Sequence, residues 1–341
     1  MLTRLAIADL LKGIAVFFMI QVHIIELFAH ETIYNSSQGK WLLFFGCPIV
    51  APVFMVIMGY FLAKSEKTTK TLVLRGVKVF CLGMFLNLAL NFNLILSVAK
   101  GIYHYELLPY IFGVDVLLFA GLAIILLSMV RVFLTSNLIL TISLILLCVI
   151  SGDFIKEYLP QNSIIKYVSA FFYGTVNWSY FPILPWLAYP LTGFVVHQLN
   201  QTHKIDSFAS LRIKVATAFC FAVFLTLTIN FGISVSSQLS NYYHHGFVFY
   251  LWTIVFLFFY VFFVNEINKL LSDILLFRFL RWLGMNVTIV YLVQWVIIGN
   301  VATEIYKSIS SPVYLGLCFI GILSISSLMC YFINRVRGQR F

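Results

Sequence analysis

Four ionisable side chains interrupt one apolar run. Residues 5–28, LAIADLLKGIAVFFMIQVHIIELF, are apolar enough to cross a bilayer, yet they carry Asp9, Lys12, His23 and Glu26. Ionisable groups within a span are costly and mark a pathway or a site. From Lys12 to His23 is three helical turns, about 16 Å of rise, so the two face nearly the same way. Asp9, Lys12, Val16, Met19, His23, Glu26 and His30 form one stripe at steps of three and four. The stripe offers a charged entrance, an apolar stretch and a titratable pair. That order suits a long ligand lying along the helix, its charged head near Lys12 and its reacting end near His23. A histidine there can act as a general base, with a neighbouring carboxylate, Glu26 or Asp115, fixing its tautomer.

The elements that must hold this stripe are membrane helices. The 341 residues are 62% hydrophobic and only 10% charged, and the mean hydropathy is +0.99. A soluble domain carries about 25% charged residues, so the composition predicts an all-α, polytopic membrane protein forming one domain over 1–341. At about 20 residues per span, ten spans are expected: 5–28, 42–63, 77–98, 110–130, 133–150, 180–198, 213–232, 246–265, 282–299 and 312–333. With the N-terminus inside, all but five of the 22 basic residues (Lys40, Lys100, Lys156, Lys166 and Lys307) fall on the inner side, which predicts that both termini are cytosolic. The net charge of +10 is read as this topological bias, and no nucleic-acid partner is expected. The opening segment reads as a retained span, because charges interrupt it and no small-residue cleavage site follows.

Depth adds a second pattern. Counted from the outer ends of these spans, His23, Asn91, Asp115, Trp186 and Gln294 all lie about 7–11 Å below the outer surface. Five spans would thus place polar or amphipathic groups around one outward cavity. Alone, an amide such as Asn91 or Gln294 more often bonds a neighbouring helix. In the cavity, an amide or indole donor from Asn91, Gln294 or Trp186 would stabilise a developing oxyanion.

At the inner surface, Lys64, Lys67, Lys70, Arg75 and Lys78 gather. Arg75 and Lys78, three apart at the start of a helix, can face one anion together, whereas Lys64 to Lys70 read as ordinary inner-face charge. Residues 151–179 suit an interfacial helix or a flap. His104, His244 and His245 read as outer loop residues, and His197 and His203 as solvated. The six cysteines are scattered singly and read as small core residues, and no metal site is expected.

These residues also carry a likeness. ADLLKGIAVFFMIQVH resembles the first-helix signature of transmembrane acyltransferases, a superfamily that covers the acyltransferase-3 proteins and relatives of heparan-α-glucosaminide N-acetyltransferase. The matching positions are Asp9, Lys12, Gly13 and His23. PVFMVIMGYFLAKS (52–65) with Gly59, the Arg75/Lys78 pair, FGVDVLLFAGLAIIL (112–126) and YFPILPWLAYPLTGF (180–194) are similar to later segments. His23 follows the acyltransferase-3 pattern. In the heparan branch the catalytic histidine lies in the following outer loop, where His30 stands.

The resemblance implies acyl transfer from cytosolic acyl-CoA, most simply acetyl-CoA, to a carbohydrate or lipid-linked sugar on the outer face. Lys12, Arg75 and Lys78 would meet the CoA phosphates. His23, Glu26 and Asp115 would be catalytic. His30, Asn91, Trp186 and Gln294 would bind the acceptor. A covalent acetyl-His intermediate ranks second to base catalysis. No permanently bound cofactor is implied, a homodimer is compatible, and a bacterial inner membrane is the expected location. The competing class is a proton-coupled transporter relaying through His23, Glu26 and Asp115. Against it stands the lack of an inverted repeat or of paired broken helices in matching halves.

Overall fold

The computed structural model describes residues 6–155, 158, 160–202 and 210–338. His203 and Lys204 lie outside them. Among the described residues the regular elements are 18 helices. In chain order they are α1 (Ala6–Phe28), α2 (Glu31–Tyr34), α3 (Ser37–Gly46), α4 (Ala51–Ala63), α5 (Thr69–Leu90), α6 (Phe92–Ala99), α7 (Leu108–Ile111), α8 (Val116–Ser136) and α9 (Leu138–Ile155). There follow α10 (Ser163–Ser169), α11 (Ile183–Trp186), α12 (Ala188–Thr202), α13 (Leu211–Ser236), α14 (Leu239–Tyr243), α15 (Phe247–Leu271), α16 (Leu275–Met285), α17 (Val287–Ile305) and α18 (Pro312–Val336).

Among the described residues nine segments are long and apolar enough to cross a membrane, counting α3–α4 as one. The chain is therefore an all-α, multi-pass membrane protein, as an apolar composition demands when every backbone group must be satisfied inside the lipid. The expected sixth span, 180–198, is broken where the sequence suggested one continuous helix. Pro182 and Pro185 deny it backbone donors, and Leu184 has extended dihedrals (φ −99°, ψ 122°). What remains continuous is α12, 15 residues and about 22 Å long. The expected ninth span also runs across a break. Asn286 ends α16 and opens α17, so residues 282–285 belong to a separate amphipathic helix.

The chain forms two compact units. In the unit comprising 1–53, 86–111 and 260–341, α1 is heavily enclosed and crosses α16 at very short range. A Cβ on Gly13 would lie 1.7 Å from the Leu280 carbonyl oxygen, and one on Gly284 would lie 1.8 Å from that of Asp9. Two glycines at the crossing bring the backbones together, the small-residue packing that membrane helices use. Gly46 of α3 likewise faces Val22. The end of α1 is capped by the α17–α18 connection. Lys307 and Ile309 N–H donate to the carbonyls of Leu27 and Phe28 at 2.8 and 2.9 Å, and His30 N–H returns to Ile309 O at 2.8 Å. Lys307 adopts a positive φ of 50° in this turn.

Within the same unit, α17 is pinned at the α5–α6 break. Asn300 Nδ2 donates to Ala89 O at 2.8 Å, and Asn93 N–H donates to Asn300 Oδ1 at 2.7 Å. Asn93 Nδ2 also reaches Glu304 Oε1 at 3.1 Å. These bonds satisfy backbone groups that the break leaves open and fix α17 in depth and rotation.

In the unit comprising 54–85 and 112–259, α4 and α12 cross through Gly59, next to Pro190 O, and Gly193, next to Val56 O. An aromatic nest fills its centre. Trp186, Tyr189, Tyr242 and His245 pack ring against ring. The Tyr189 hydroxyl donates to His245 Nε2 at 2.9 Å, and His245 Nδ1–H donates to Tyr242 O at 2.7 Å. α13 lies at the other extreme: only 6% of its apolar window is buried, which marks it as a lipid-facing helix.

Candidate functional site

The site is built first on α1. Near its N-terminal end Asp9 is buried, and its carboxylate holds the Lys12 ammonium at 2.8 Å. Lys12 therefore enters the structure as half of an ion pair one turn long, beside the Gly13 crossing. Val16 and Met19 are buried above it. One turn further, His23 meets α17. Its Nδ1 lies 3.3 Å from Gln294 Oε1, and the Trp295 ring covers the imidazole at 4.0 Å between centroids, tilted by 33°.

Because Oε1 can only accept, this bond puts the ring proton on Nδ1 and leaves a lone pair on Nε2. That is the tautomer a general base requires. Gln294 is fully buried, and its Nε2 has no hydrogen-bond partner. The Trp295 Nε1 is also buried and unpartnered. Gln21, on α1, has both amide atoms buried without a partner.

Glu26 follows His23 by one turn, near the C-terminal end of α1. Its charge acts on Tyr34 and Tyr306, whose phenols are both pushed up, first by burial and then by this carboxylate. Lys307 Nζ lies over both rings, at 5.1 Å from that of Tyr34 and 5.7 Å from that of Tyr306. His30 is exposed and serves as the N-cap of α2, where its Nδ1 accepts from Thr32 N–H at 3.3 Å.

The other expected site residues are held by their own backbone surroundings. Asn91 Nδ2 donates to Asn87 O and Tyr110 O at 2.9 and 3.2 Å. Asp115 is the N-cap of α8, accepting from Val116 N–H at 2.7 Å. Trp186 is fully buried, and its Nε1 donates to Tyr243 O at 2.7 Å. Of the five residues expected at one depth, the structure joins His23 to Gln294 directly and spends the polar groups of Asn91, Asp115 and Trp186 on local bonds.

Arg75 and Lys78 are exposed on α5 and line, with Lys67, Thr71 and Leu74, a groove of about 280 Å³. Three cations share it, the arrangement that a polyphosphate would require. A larger open cavity of about 700 Å³ is lined by Tyr60, Lys64, Glu66, Arg131, His197 and Asn200, among others. Arg131 donates to Ser65 O, and Asn200 Nδ2 donates to the Tyr60 hydroxyl at 3.2 Å.

Two histidine readings are corrected here. His197 is buried and accepts from Gln201 at 3.2 Å. His245 is buried in the aromatic nest. A single sequence does not distinguish a loop histidine from one that a turn folds inward. Cys81 and Cys220 are exposed on lipid-facing helix surfaces instead of lying in the core. The residue that sequence reasoning missed is Trp295. Its only signal was its place beside Gln294 in a span.

The described residues thus bring a histidine of one membrane helix against a buried amide of another. Residues 4–226, more than half of the chain, match the catalytic family of heparan-alpha-glucosaminide N-acetyltransferase, and the chain belongs to that family of membrane acetyltransferases. Comparison with curated proteins and with solved structures gives no match.

Proposed function

We propose that the protein transfers an acetyl group from acetyl-CoA to the amino or hydroxyl group of a glucosaminide-type sugar, with His23 as general base. The observation that carries this reading is the His23–Gln294 bond, which leaves Nε2 free to take a proton. Family membership supplies the reaction class, and His30, which stands where the resemblance put the heparan branch's histidine, is exposed with its Nδ1 engaged as the N-cap of α2. The acceptor X–H attacks the thioester carbonyl carbon while Nε2 removes its proton. The carbonyl electron pair moves to oxygen and then returns as the C–S bond breaks, and the departing thiolate takes the proton back from the imidazolium. The order of groups along α1 supports a donor that enters from the inner face with its arm beside Val16 and Met19, and the exposed cations Arg75 and Lys78 support phosphate binding. The charge bias of the loops supports cytosolic termini and transfer towards the outer face.

The test is acetyl transfer from labelled acetyl-CoA to glucosamine and to a β-glucosaminide, by protein in liposomes. The wild type is expected to acetylate one of them. His23→Ala is expected to lose at least about 100-fold in rate, the scale of general-base catalysis, while still inserting and remaining monodisperse. Full activity of that variant would remove His23 from the chemistry.

A further inference from the structure

The reaction proposed above needs a group to receive the negative charge that forms on the acyl oxygen. Three amide or indole donors were expected to compete for this task, and the structure removes two of them. Trp186 Nε1–H is bonded to Tyr243 O, and Asn91 Nδ2 is bonded to two carbonyls. Two other N–H donors beside His23 carry no partner: Gln294 Nε2 and Trp295 Nε1, both shielded from solvent. Buried donors are almost always paired, and an unpaired one loses the energy of its hydration. Two orphans on consecutive residues, both adjoining one histidine, need an account.

Their positions are bounded by the contacts already given. Gln294 Oε1 lies 3.3 Å from His23 Nδ1, so amide geometry keeps Nε2 within about 5.5 Å of that atom. The Trp295 ring lies at 4.0 Å from the imidazole, centroid to centroid. Both donors thus stand within one small-molecule length of the base. The asparagine bonds at the α5–α6 break hold α17 in place, so the donors are preorganised.

We propose that Gln294 Nε2–H and Trp295 Nε1–H form the oxyanion-binding pair for the acyl carbonyl, making Trp295 a catalytic residue. This inference rests on the acetyl-transfer reading. When the acceptor adds to the thioester carbon, the C=O pair moves onto oxygen between these two donors, and the proton leaves the acceptor for His23 Nε2. When the C–S bond breaks, the pair returns to the carbonyl and the donors again hold a neutral oxygen. Donors fixed in a dry site favour the charged oxygen over the neutral one, so they lower the barrier more than they tighten binding.

The experiment compares Trp295→Phe with the wild type in the liposome assay, using acetyl-CoA and whichever sugar the wild type accepts. Phenylalanine keeps an aromatic ring at this position and removes the N–H together with part of the bicycle. The expected result is a fall in kcat of about 10- to 1,000-fold, with KM for both substrates changed by less than about threefold. As a structural control, benzothienylalanine at position 295 keeps the bicyclic shape and replaces N–H by sulfur. It is expected to match the phenylalanine variant. The infrared band of ¹³C-labelled acetyl-CoA bound to protein reads the carbonyl directly: it should lie at lower frequency on the wild type than on either variant. Wild-type kcat and an unmoved band in both variants would overturn the assignment and leave the orphan donors to a structural water. An inactive wild type would instead overturn the acetyl-transfer reading itself.

Discussion

At the scale of the residue, the site turns on which nitrogen of His23 carries the proton. Gln294 decides it through one bond of 3.3 Å. Gln294→Leu removes the acceptor and strands the Nδ1–H, an unpaired buried donor that costs about 1–3 kcal/mol. The imidazole is then free to adopt the other tautomer, with Nε2 protonated and useless as a base. The expected outcome is a fall in acetyl-transfer rate of about 10- to 100-fold, the range its bond energy allows. Gln294→Glu and Gln294→Leu both lose the Nε2–H donor, but only the glutamate keeps an acceptor for Nδ1; a Gln294→Leu variant with the wild-type rate would detach both roles from Gln294. The histidine, the glutamine and their shared depth were legible in the sequence because ionisable and amide groups stand out in an apolar run. The bond between them was not, since 271 positions separate the two residues. Trp295 was invisible for a different reason. Tryptophan is ordinary in a membrane span, and only an unpaired N–H beside a base sets this one apart.

At the scale of the element, the position of His23 depends on how closely α1 meets α16. Gly13 and Gly284 face backbone across the crossing, at 1.7 and 1.8 Å from where a Cβ would be. No rotamer change can relieve a clash with backbone, so Gly13→Ala must push the helices apart. Its expected cost is at least the 1–3 kcal/mol typical of overpacking, seen as a lower melting temperature in detergent. Gly316 of α18 has nothing within 4 Å of its Cβ position, and alanine there should be neutral or stabilising by up to about 1 kcal/mol. A tolerated Gly13→Ala would mean that the crossing is looser than the structure has it. Gly13 was legible in the signature, but its reason was not, because its partner lies on a helix near the other end of the chain. The form of the sixth span escaped the sequence at the same scale. Hydropathy saw 180–198 as one continuous apolar segment, whereas the prolines break it and leave α12 short.

At the scale of the whole molecule, the proposed reaction requires that a highly charged donor and a base within the membrane serve together. The family match ends at residue 226, whereas Gln294 and Trp295 lie beyond it on α17. The matched part thus holds His23 but not the amide and the indole that α17 sets beside it. The same division holds for the donor. Arg75 and Lys78 share an open groove with Lys67, while Lys12 is already paired with Asp9 at 2.8 Å. Its pairing leaves Lys12 little free charge for a phosphate, so the exposed groove should carry most of the attraction. Exposed charges are screened by salt over about 8 Å at physiological ionic strength. Acetyl-CoA affinity, measured by calorimetry, should therefore fall several-fold between about 50 and 500 mM salt, a range over which screening tightens steeply. In Arg75→Ala, Lys78→Ala protein the affinity should be weaker at low salt and nearly flat across that range. Lys12→Met should change the slope little. A variant lacking both groove cations that kept the wild-type slope would move the phosphates elsewhere, and the cavity around Lys64 and Arg131 would be the next place to substitute.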